Sequence, residues 1–173
     1  AEQYETALLA GGCFWCMEPP FDKLKGVIST VVGYTGGHTK NPTYEQTSSG
    51  ETGHYEAIKI VYDPSRVSFK EILDVFWQNV DPFDAQGQFC DKGDQYRAAI
   101  FYLTKEQQEI AQASKEETET VLGQKVATEI IPVAPFYKGE EYHQEYYLKN
   151  PIRYKFYRYN CGRDKRLKEI YKK

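Results

Sequence analysis

The stretch Glu5–Leu24 has the sequence ETALLAGGCFWCMEPPFDKL and places a cysteine directly after a strand and a turn. Its apolar beginning, up to Ala10, predicts a short strand, and Gly11-Gly12 predicts a tight turn. Cys13 then lies at the entrance of a helix, where unpaired backbone N–H groups and the helix dipole favour a thiolate. We therefore predict a lowered pKa for Cys13 and identify it as a candidate nucleophile.

The predicted helix contains two consecutive prolines. Apolar residues recur at helical spacing between Phe14 and Leu24, and Pro19-Pro20 lies inside this range. Proline has no N–H group and disfavours helical geometry in the preceding residue. The helix is therefore expected either to begin near Glu18 or to be kinked there.

Strand and helix patterns alternate along the rest of the chain. Ser68 and Glu71 have the spacing of a capping box and mark the start of a helix. Two polar segments that contain glycine, residues 35–53 and 81–95, predict long loops, which in compact domains are usually functional. The further predicted elements are strands at residues 27–34, 55–62, 98–103 and 128–133, and helices at residues 68–79 and 104–122.

The order β-α-β-β-α-β-α-β predicts an α+β fold. Helices are expected to cover one face of a mixed central sheet, in a two-layer sandwich with a ferredoxin-like core. From Pro135 the chain is rich in tyrosine and only partly regular, so long loops and a C-terminal tail are expected to wrap the sheet. Without repeats or a linker, residues 1–173 are expected to form a single catalytic domain.

Composition argues against several classes of partner. The net charge of -3 and the pI near 5.7 give no electrostatic basis for binding nucleic acid or a membrane. No apolar run approaches the roughly 20 residues that span a bilayer. We expect a monomer, and the start at Ala1 fits both a cytoplasmic chain and an exported one whose leader has been removed.

The four cysteines suggest redox chemistry, although other interpretations stay open. Cys13 and Cys16 form a C-x-x-C pair, which suits a thiol–disulfide oxidoreductase or zinc, but zinc is disfavoured because no second pair follows at finger-like spacing. A single buried cysteine is more often inert. The many tyrosines also permit a non-catalytic binding module. His38, His54 and His143 are scattered, and each is expected to be a structural hydrogen-bonding residue.

Six sequence blocks occur in order between Ala10 and about Pro151: Gly12-Cys-Phe-Trp15, Gly33-Tyr-Thr-Gly-Gly37, Asn41-Pro-Thr-Tyr44, Gly53-His-Tyr-Glu-Ala57, Asp91 followed by Gln95-Tyr-Arg97, and Thr128-Glu-Ile130. Together they resemble the A-type peptide methionine sulfoxide reductases over nearly the whole chain. The combination is far more specific than any one block. The chain departs from the commoner pattern at Cys16, where many members have glycine.

The resemblance implies roles for seven side chains. They are the nucleophile Cys13, the acid Glu56 that protonates the sulfoxide oxygen, Tyr44 and Tyr96 that bind this oxygen, Asp91 that lines the site, and Phe14 and Trp15 that enclose the substrate methyl group. The chemistry needs such groups, because a weakly basic oxygen leaves sulfur only when it is protonated. A buried carboxyl can supply that proton at neutral pH, and phenol hydroxyls can stabilise the developing charge.

The implied reaction is the reduction of methionine S-sulfoxide, free or in peptides and proteins, to methionine. Cys13 would become a sulfenic acid, a second cysteine would form a disulfide with it, and external thioredoxin would reduce this disulfide. No bound cofactor or metal is expected.

Three cysteines compete for the role of resolving the sulfenic acid. Cys161 is favoured, because resolving cysteines in this family commonly lie in the C-terminal tail and the sequence around it suggests mobility. Cys16 is the alternative, since its spacing from Cys13 allows a disulfide across the first helical turn. Cys90, next to Asp91, is the weakest candidate.

Overall fold

The computed structural model describes residues 4–48 and 52–171. These residues form an α+β fold with a six-stranded mixed sheet, a small two-stranded sheet and seven α-helices. The strands are β1 (Glu5–Gly11), β2 (Val27–Thr35), β3 (Tyr55–Tyr62), β4 (Gly87–Gln88), β5 (Asp91–Lys92), β6 (Ala98–Tyr102), β7 (Glu129–Pro132) and β8 (Phe136–Lys138). The helices are α1 (Phe14–Asp22), α2 (Tyr44–Ser48), α3 (Phe69–Gln78), α4 (Lys105–Leu122), α5 (Tyr146–Lys149), α6 (Pro151–Cys161) and α7 (Arg163–Tyr171).

The large sheet has the strand order β7-β6-β1-β3-β2-β8. Its neighbours are antiparallel except for β6 and β7, which are parallel, so the mixed sheet predicted from the sequence is confirmed. Strand β1 lies between β3 and β6, with Leu9 paired to Ile58 and Ile100. The chain therefore leaves the middle of the sheet at Gly11, two residues before Cys13.

Strand β1 is buried on both faces. Ala7 and Leu9 belong to the larger core, together with residues of α1 and α3. Leu8 and Ala10 pack on the opposite face, in a smaller cluster that includes Phe101. This position explains why the strand is a continuous apolar run rather than an alternating one.

Helix α3 begins where the sequence predicts. The Ser68 hydroxyl accepts a hydrogen bond from the Glu71 N–H at 3.1 Å, and the Glu71 carboxylate accepts one from the Ser68 N–H at 3.4 Å. This capping box satisfies two N–H groups at the helix start. The apolar face of α3 is buried in the larger core, together with residues of α1 and the sheet.

The structure differs from the predictions in two segments and decides one alternative in a third. Helix α1 lies within the predicted range and begins at Phe14, so the late start near Glu18 is wrong; it continues through Pro19 and Pro20, which cannot donate to the carbonyls of Trp15 and Cys16. The segments predicted as loops contain α2 and the β4–β5 hairpin. The C-terminal region is mostly helical, because Pro151 starts α6, Gly162 ends it with φ +75°, and α7 then buries apolar residues one turn apart.

None of the helices in the described part of the chain is long and apolar enough to cross a membrane.

Candidate active site

Cys13 lies between β1 and α1, where it is the N-cap residue of the helix. Gly12 turns the chain there with φ +89°, a conformation that side chains with a Cβ rarely adopt. A Cβ on Gly12 would also lie 2.5 Å from the Cβ of Gln88. Glycine is therefore required at this position, and the turn leaves Cys13 only 6% exposed.

The helix N-terminus does not stabilise a Cys13 thiolate. The Phe14 N–H donates to Oε1 of Glu56 at 3.2 Å, the Cys16 N–H donates to the Cys13 carbonyl at 3.0 Å, and the Cys13 side chain makes no capping hydrogen bond. Burial instead raises the pKa of Cys13, and its hydrogen bond to Cys16 raises it further. The predicted lowering of the Cys13 pKa is therefore wrong for the resting site.

The thiol that ionises readily is Cys16. It is a free thiol, 1% exposed, and lies one helical turn beyond Cys13. The hydrogen bond from Cys13 lowers the pKa of Cys16 to about 6 despite burial, and the nearby Arg163 guanidinium lowers it as well. The two buried thiols therefore titrate as a coupled pair, in which one sulfur ionises more readily because the other keeps its proton.

Glu56 on β3 has the properties of a general acid. Its side chain is 1% exposed, and burial raises its pKa well above the usual value, against the effect of the Phe14 N–H. Oε1 accepts the hydrogen bond from Phe14, whereas Oε2 has no hydrogen-bond partner among the described residues. Burial therefore favours the protonated form of the carboxyl group, and Oε2 is left available to a substrate.

Tyr96 connects the predicted site residues. Burial raises its pKa, and charges on Glu56, Tyr44, Asp91 and Cys13 raise it further. These interactions indicate that Tyr96 belongs to the same site as the other predicted residues. The Tyr96 phenol stays protonated over the physiological range and can donate a hydrogen bond into the site.

Asp91 lies on the β4–β5 hairpin beside α6. It accepts a hydrogen bond from the Tyr157 hydroxyl, and burial raises its pKa. The sulfur of Cys161 lies 3.9 Å from Oδ2 of Asp91. Cys90, Asp91 and Cys161 lie close enough together to be considered as metal ligands. A metal would need free sulfur atoms, however, and the two cysteines are joined in a disulfide.

Cys161 is therefore not in a mobile tail, as its sequence suggested. It is the last residue of α6, and the disulfide joins it to Cys90 with their Cα atoms 4.9 Å apart. Cys13 and Cys16 are the free thiols of the described chain.

Phe14 and Trp15 form an aromatic wall that the C-terminal region supports. The Phe14 ring lies 5.0 Å from the imidazole of His143. Trp15 stacks on Tyr146 at 4.0 Å and donates its indole N–H to Nδ1 of His143 at 2.9 Å. His143 is thus a structural hydrogen-bonding residue, as its isolated position in the sequence indicates.

The sequence profile of the family "Peptide methionine sulfoxide reductase" matches residues 5–173. "Peptide methionine sulfoxide reductase MsrA" of Bacillus velezensis is 48% identical over 171 residues, which cover 98% of this chain and 97% of the relative. "Peptide methionine sulfoxide reductase MsrA/MsrB" of Vibrio cholerae is 48% identical over 97% of this chain. The chain spans only 45% of the length of that relative.

Solved structures have the same fold. Reduced Mxr1 from Saccharomyces cerevisiae is 33% identical, with a TM-score of 0.82 and coverage of 87% of each chain. Mxr1 from the same organism in complex with Trx2 is 24% identical, with a TM-score of 0.59, 83% of this chain and 85% of that chain covered, and this likeness concerns the fold alone.

Glu140 is a site residue that the sequence analysis missed. Its carboxylate accepts hydrogen bonds from the Tyr34 hydroxyl at 2.9 Å and from the Tyr44 N–H at 3.1 Å. Burial alone would raise the pKa of Glu140, but these two hydrogen bonds outweigh it and lower the pKa. Glu140 thereby fixes the start of α2, and with it Tyr44, to the C-terminal region. The sequence analysis had assigned only Cys161 of the C-terminal region to the site, and no pattern around Glu140 indicated that it contributes.

We expect Glu140→Ala to raise the KM for a sulfoxide substrate, because Tyr44 loses its anchor. The buried Tyr34 hydroxyl would also lose its acceptor, which costs about 1–3 kcal/mol of folding free energy. Steady-state kinetics and urea unfolding measure the two effects. Glu141→Ala is the matched control, since Glu141 is exposed and forms only surface ion pairs. An unchanged KM in Glu140→Ala would contradict the anchoring role.

Proposed function

Because the chain belongs to the peptide methionine sulfoxide reductases, we propose that Cys13 and Glu56 are the groups that reduce methionine S-sulfoxide to methionine. The observation that carries this proposal is a buried carboxyl with one unpartnered oxygen, hydrogen-bonded to the backbone N–H next to Cys13. A nucleophile and a proton donor are thus held side by side, as the expulsion of oxygen from sulfur requires.

In the first step the Cys13 sulfur attacks the sulfoxide sulfur, while Glu56 transfers its proton to the oxygen. A bond between the two sulfur atoms forms and the S=O bond becomes S–OH. The hydroxyl group then passes to Cys13 as the sulfur–sulfur bond breaks, and methionine leaves. Sulfur of the substrate is reduced by two electrons, and Cys13 is oxidised to the sulfenic acid.

The surrounding side chains suit a methyl sulfoxide. We assign the oxygen to the Tyr44 and Tyr96 hydroxyls, which can donate to it beside Glu56. We assign the methyl group to the wall formed by Phe14 and Trp15, since this wall is apolar and is held rigidly by His143 and Tyr146. Asp91 lines the site from the β4–β5 hairpin.

We propose that Cys16 resolves the sulfenic acid, in preference to Cys161. Cys16 is a free thiol that already hydrogen-bonds to Cys13, and it ionises near pH 6. Cys161, which the sequence favoured, has its sulfur bonded to Cys90. The thiol–disulfide oxidoreductase alternative is weaker, because thiol–disulfide exchange has no use for the buried Glu56 carboxyl that binds the N–H group next to Cys13.

We propose thioredoxin as the external reductant of the resulting disulfide, with no bound cofactor or metal and with a monomer as the acting unit. We also propose that residues 1–173 are one catalytic domain with a ferredoxin-like core. The strand order β6-β1-β3-β2, with α1 and α3 packed on one face in a two-layer arrangement, supports this assignment.

The wild-type chain should consume the S epimer of a methionine sulfoxide peptide with dithiothreitol and leave the R epimer essentially untouched, because one enzyme type serves each epimer. Cys13→Ser should abolish turnover, since a hydroxyl without a dedicated base is a far weaker nucleophile. Chromatography that separates the epimers measures both. Equal consumption of the epimers, or turnover by Cys13→Ser, would overturn the assignment.

The rate of the first turnover should fall as pH rises through the raised pKa of Glu56, because only the protonated carboxyl can donate. Glu56→Gln should lower this rate about 10²–10⁴-fold and remove the alkaline decline. Rapid-quench measurement of methionine against pH tests this. Glu18→Gln is the matched control, because Glu18 is another buried carboxyl with a pKa raised to about 7, but it hydrogen-bonds to Thr30 and Glu145 instead. Persistence of the decline in Glu56→Gln would exclude Glu56 as its source.

One equivalent of sulfoxide without reductant should produce a Cys13–Cys16 disulfide and leave Cys90–Cys161 intact. Peptide mapping by mass spectrometry identifies the bonds. In Cys16→Ser the sulfenic acid should persist and be trapped by dimedone. A bond from Cys13 to Cys161 or Cys90 would assign resolution to the Cys90–Cys161 pair instead.

A further inference from the structure

The Cys90–Cys161 disulfide joins the two segments that hold Asp91 in place. Cys90 lies at the tip of the β4–β5 hairpin, directly before Asp91, and Cys161 is the last residue of α6. The Cys90 N–H also donates to the Cys161 sulfur at 3.2 Å. One helical turn before Cys161, Tyr157 donates its hydroxyl to Asp91. The disulfide and this hydrogen bond therefore connect the hairpin to α6 at neighbouring positions.

The β4–β5 hairpin needs this support. Each of its strands contains two residues, and an isolated two-stranded hairpin is marginally stable at best. Phe89 at its tip has φ +58°, a left-handed conformation that is uncommon for a residue with a large side chain. The Arg163 guanidinium of α7 lies over the Phe89 ring, 4.5 Å from its centroid, and Cys90 is bonded to Cys161. The position of the tip thus depends on its contacts with the last two helices.

The disulfide also lies close to the wall of the proposed site. The Cys161 sulfur is 3.9 Å from Oδ2 of Asp91 and 4.0 Å from the hydroxyl oxygen of Tyr157. The Tyr157 ring packs edge-on against Trp15, with the ring centroids 5.8 Å apart. Trp15 belongs to the apolar wall that we assign to the substrate methyl group. A change at the disulfide can therefore reach both Asp91 and Trp15 through Tyr157.

An external dithiol can reach this disulfide, because Cys90 is exposed and Cys161 is half-buried. A thiolate of the dithiol attacks the Cys90 sulfur, and the bond to Cys161 breaks. Cys161 leaves as a thiolate and takes up a proton, and the second thiol of the dithiol then displaces Cys90. The two cysteines gain two electrons and two protons in total, and the dithiol becomes a disulfide.

We propose that the Cys90–Cys161 disulfide positions Asp91 and Tyr157 for substrate binding, and that its reduction weakens the binding of a sulfoxide without disabling the chemical step. The inference rests on the proposed function, to which it adds a mode of regulation. A disulfide restricts the open arrangements of the segments that it joins, which here are 71 residues apart in sequence. Once the bond is reduced, the hairpin tip and the end of α6 can separate, and substrate binding must order them again.

The groups of the chemical step lie on other elements. Cys13 follows β1 in the middle of the sheet, Glu56 lies on β3, and the Phe14 N–H joins them through its hydrogen bond to Oε1. Reduction of the disulfide should therefore change the Kd for a sulfoxide and leave the rate of the first turnover at saturation unchanged. The protein then binds sulfoxides most tightly in oxidising surroundings, which are the conditions that produce them.

The test uses the full chain with Cys13→Ser and Cys16→Ser, so that Cys90 and Cys161 are the remaining cysteines. The probe is a peptide that contains methionine S-sulfoxide, and isothermal titration calorimetry measures its Kd. The oxidised protein should bind the peptide about tenfold more tightly than the protein reduced with dithiothreitol, the effect of about one hydrogen bond to a charged group. Across a series of dithiothreitol redox ratios, the Kd should change together with the loss of the disulfide, measured by alkylation and mass spectrometry.

Variants on this background separate positioning from structural damage. Cys90→Ser with Cys161→Ser should give the weaker Kd with and without dithiothreitol, which excludes an effect of the reductant itself. Tyr157→Phe keeps the disulfide but removes the hydrogen bond to Asp91, so it should also weaken binding. Tyr159→Phe is its matched control, because Tyr159 is 83% exposed on the same helix, and it should leave the Kd unchanged.

The proposal is overturned by a Kd that is equal in the oxidised and reduced proteins, or by a Kd that Tyr157→Phe leaves unchanged. Circular dichroism checks the fold of the reduced protein, and Tyr157→Phe with the disulfide intact carries the test if that fold is lost.

Activity separates this proposal from the proposed function. With Cys13 and Cys16 restored, Cys90→Ser with Cys161→Ser should keep the first-turnover rate of the wild type at saturating peptide. A lower rate would place the cysteine pair in the chemical step and refute the positioning role. A wild-type chain that does not reduce the peptide would refute the proposed function, whereas turnover with a Kd independent of the disulfide would refute this inference alone.

Discussion

The Phe14 N–H, at the start of α1, donates its hydrogen bond across to Oε1 of Glu56 on β3. This contact directs the favourable end of the helix to the carboxyl rather than to the neighbouring sulfur. Because Glu56 is almost fully buried, its pKa is raised despite the hydrogen bond, and it rests as the acid. Cys13 is left without a donor for a thiolate, and burial raises its pKa. The acid and the nucleophile of the proposed reaction are thus both affected by where one backbone N–H points.

The C-terminal third of the chain completes the site that the first sixty residues begin. His143 and Tyr146 fix the Trp15 ring, Tyr157 donates to Asp91, and Arg163 donates to the carbonyl of Gly11 at the end of β1. Each of these contacts joins residues that are far apart in sequence. The disulfide between Cys90 and Cys161 secures α6 to the β4–β5 hairpin, close to both Tyr157 and Asp91. The site therefore depends on the packing of the last two helices, α6 and α7, against the sheet.

Local sequence signals predicted most strands of the sheet, but they did not predict the packing of α6 and α7 against it. The strand over residues 55–62 and the helix start at Ser68 follow from alternation and from a capping box, which involve only neighbouring residues. The sequence did not predict α6 and α7, because their many tyrosine and arginine residues obscure the helical spacing of the apolar ones. The burial of Arg163 was not predictable locally either, because its partners are more than eighty residues away in sequence. The prediction for the pKa of Cys13 was wrong for a related reason. A helix does begin after Cys13, as predicted, but its first N–H group donates to Glu56 on β3, and no local pattern indicates this.

The proposed proton transfer from Glu56 gives the helix N-terminus a use later in the reaction. Before the first step Glu56 is the proton donor, and after it Glu56 is a carboxylate. The Phe14 N–H already points at this carboxylate, and a hydrogen bond to an ionised acceptor is roughly twice as strong as one to a neutral acceptor. The Phe14 N–H does not stabilise a Cys13 thiolate, but it stabilises the Glu56 carboxylate that the proton transfer produces. Its hydrogen bond strengthens as negative charge develops on Glu56. The helix start therefore stabilises the transition state, in which Glu56 is becoming a carboxylate, more than it stabilises the resting site. Only such a difference lowers the barrier of the reaction.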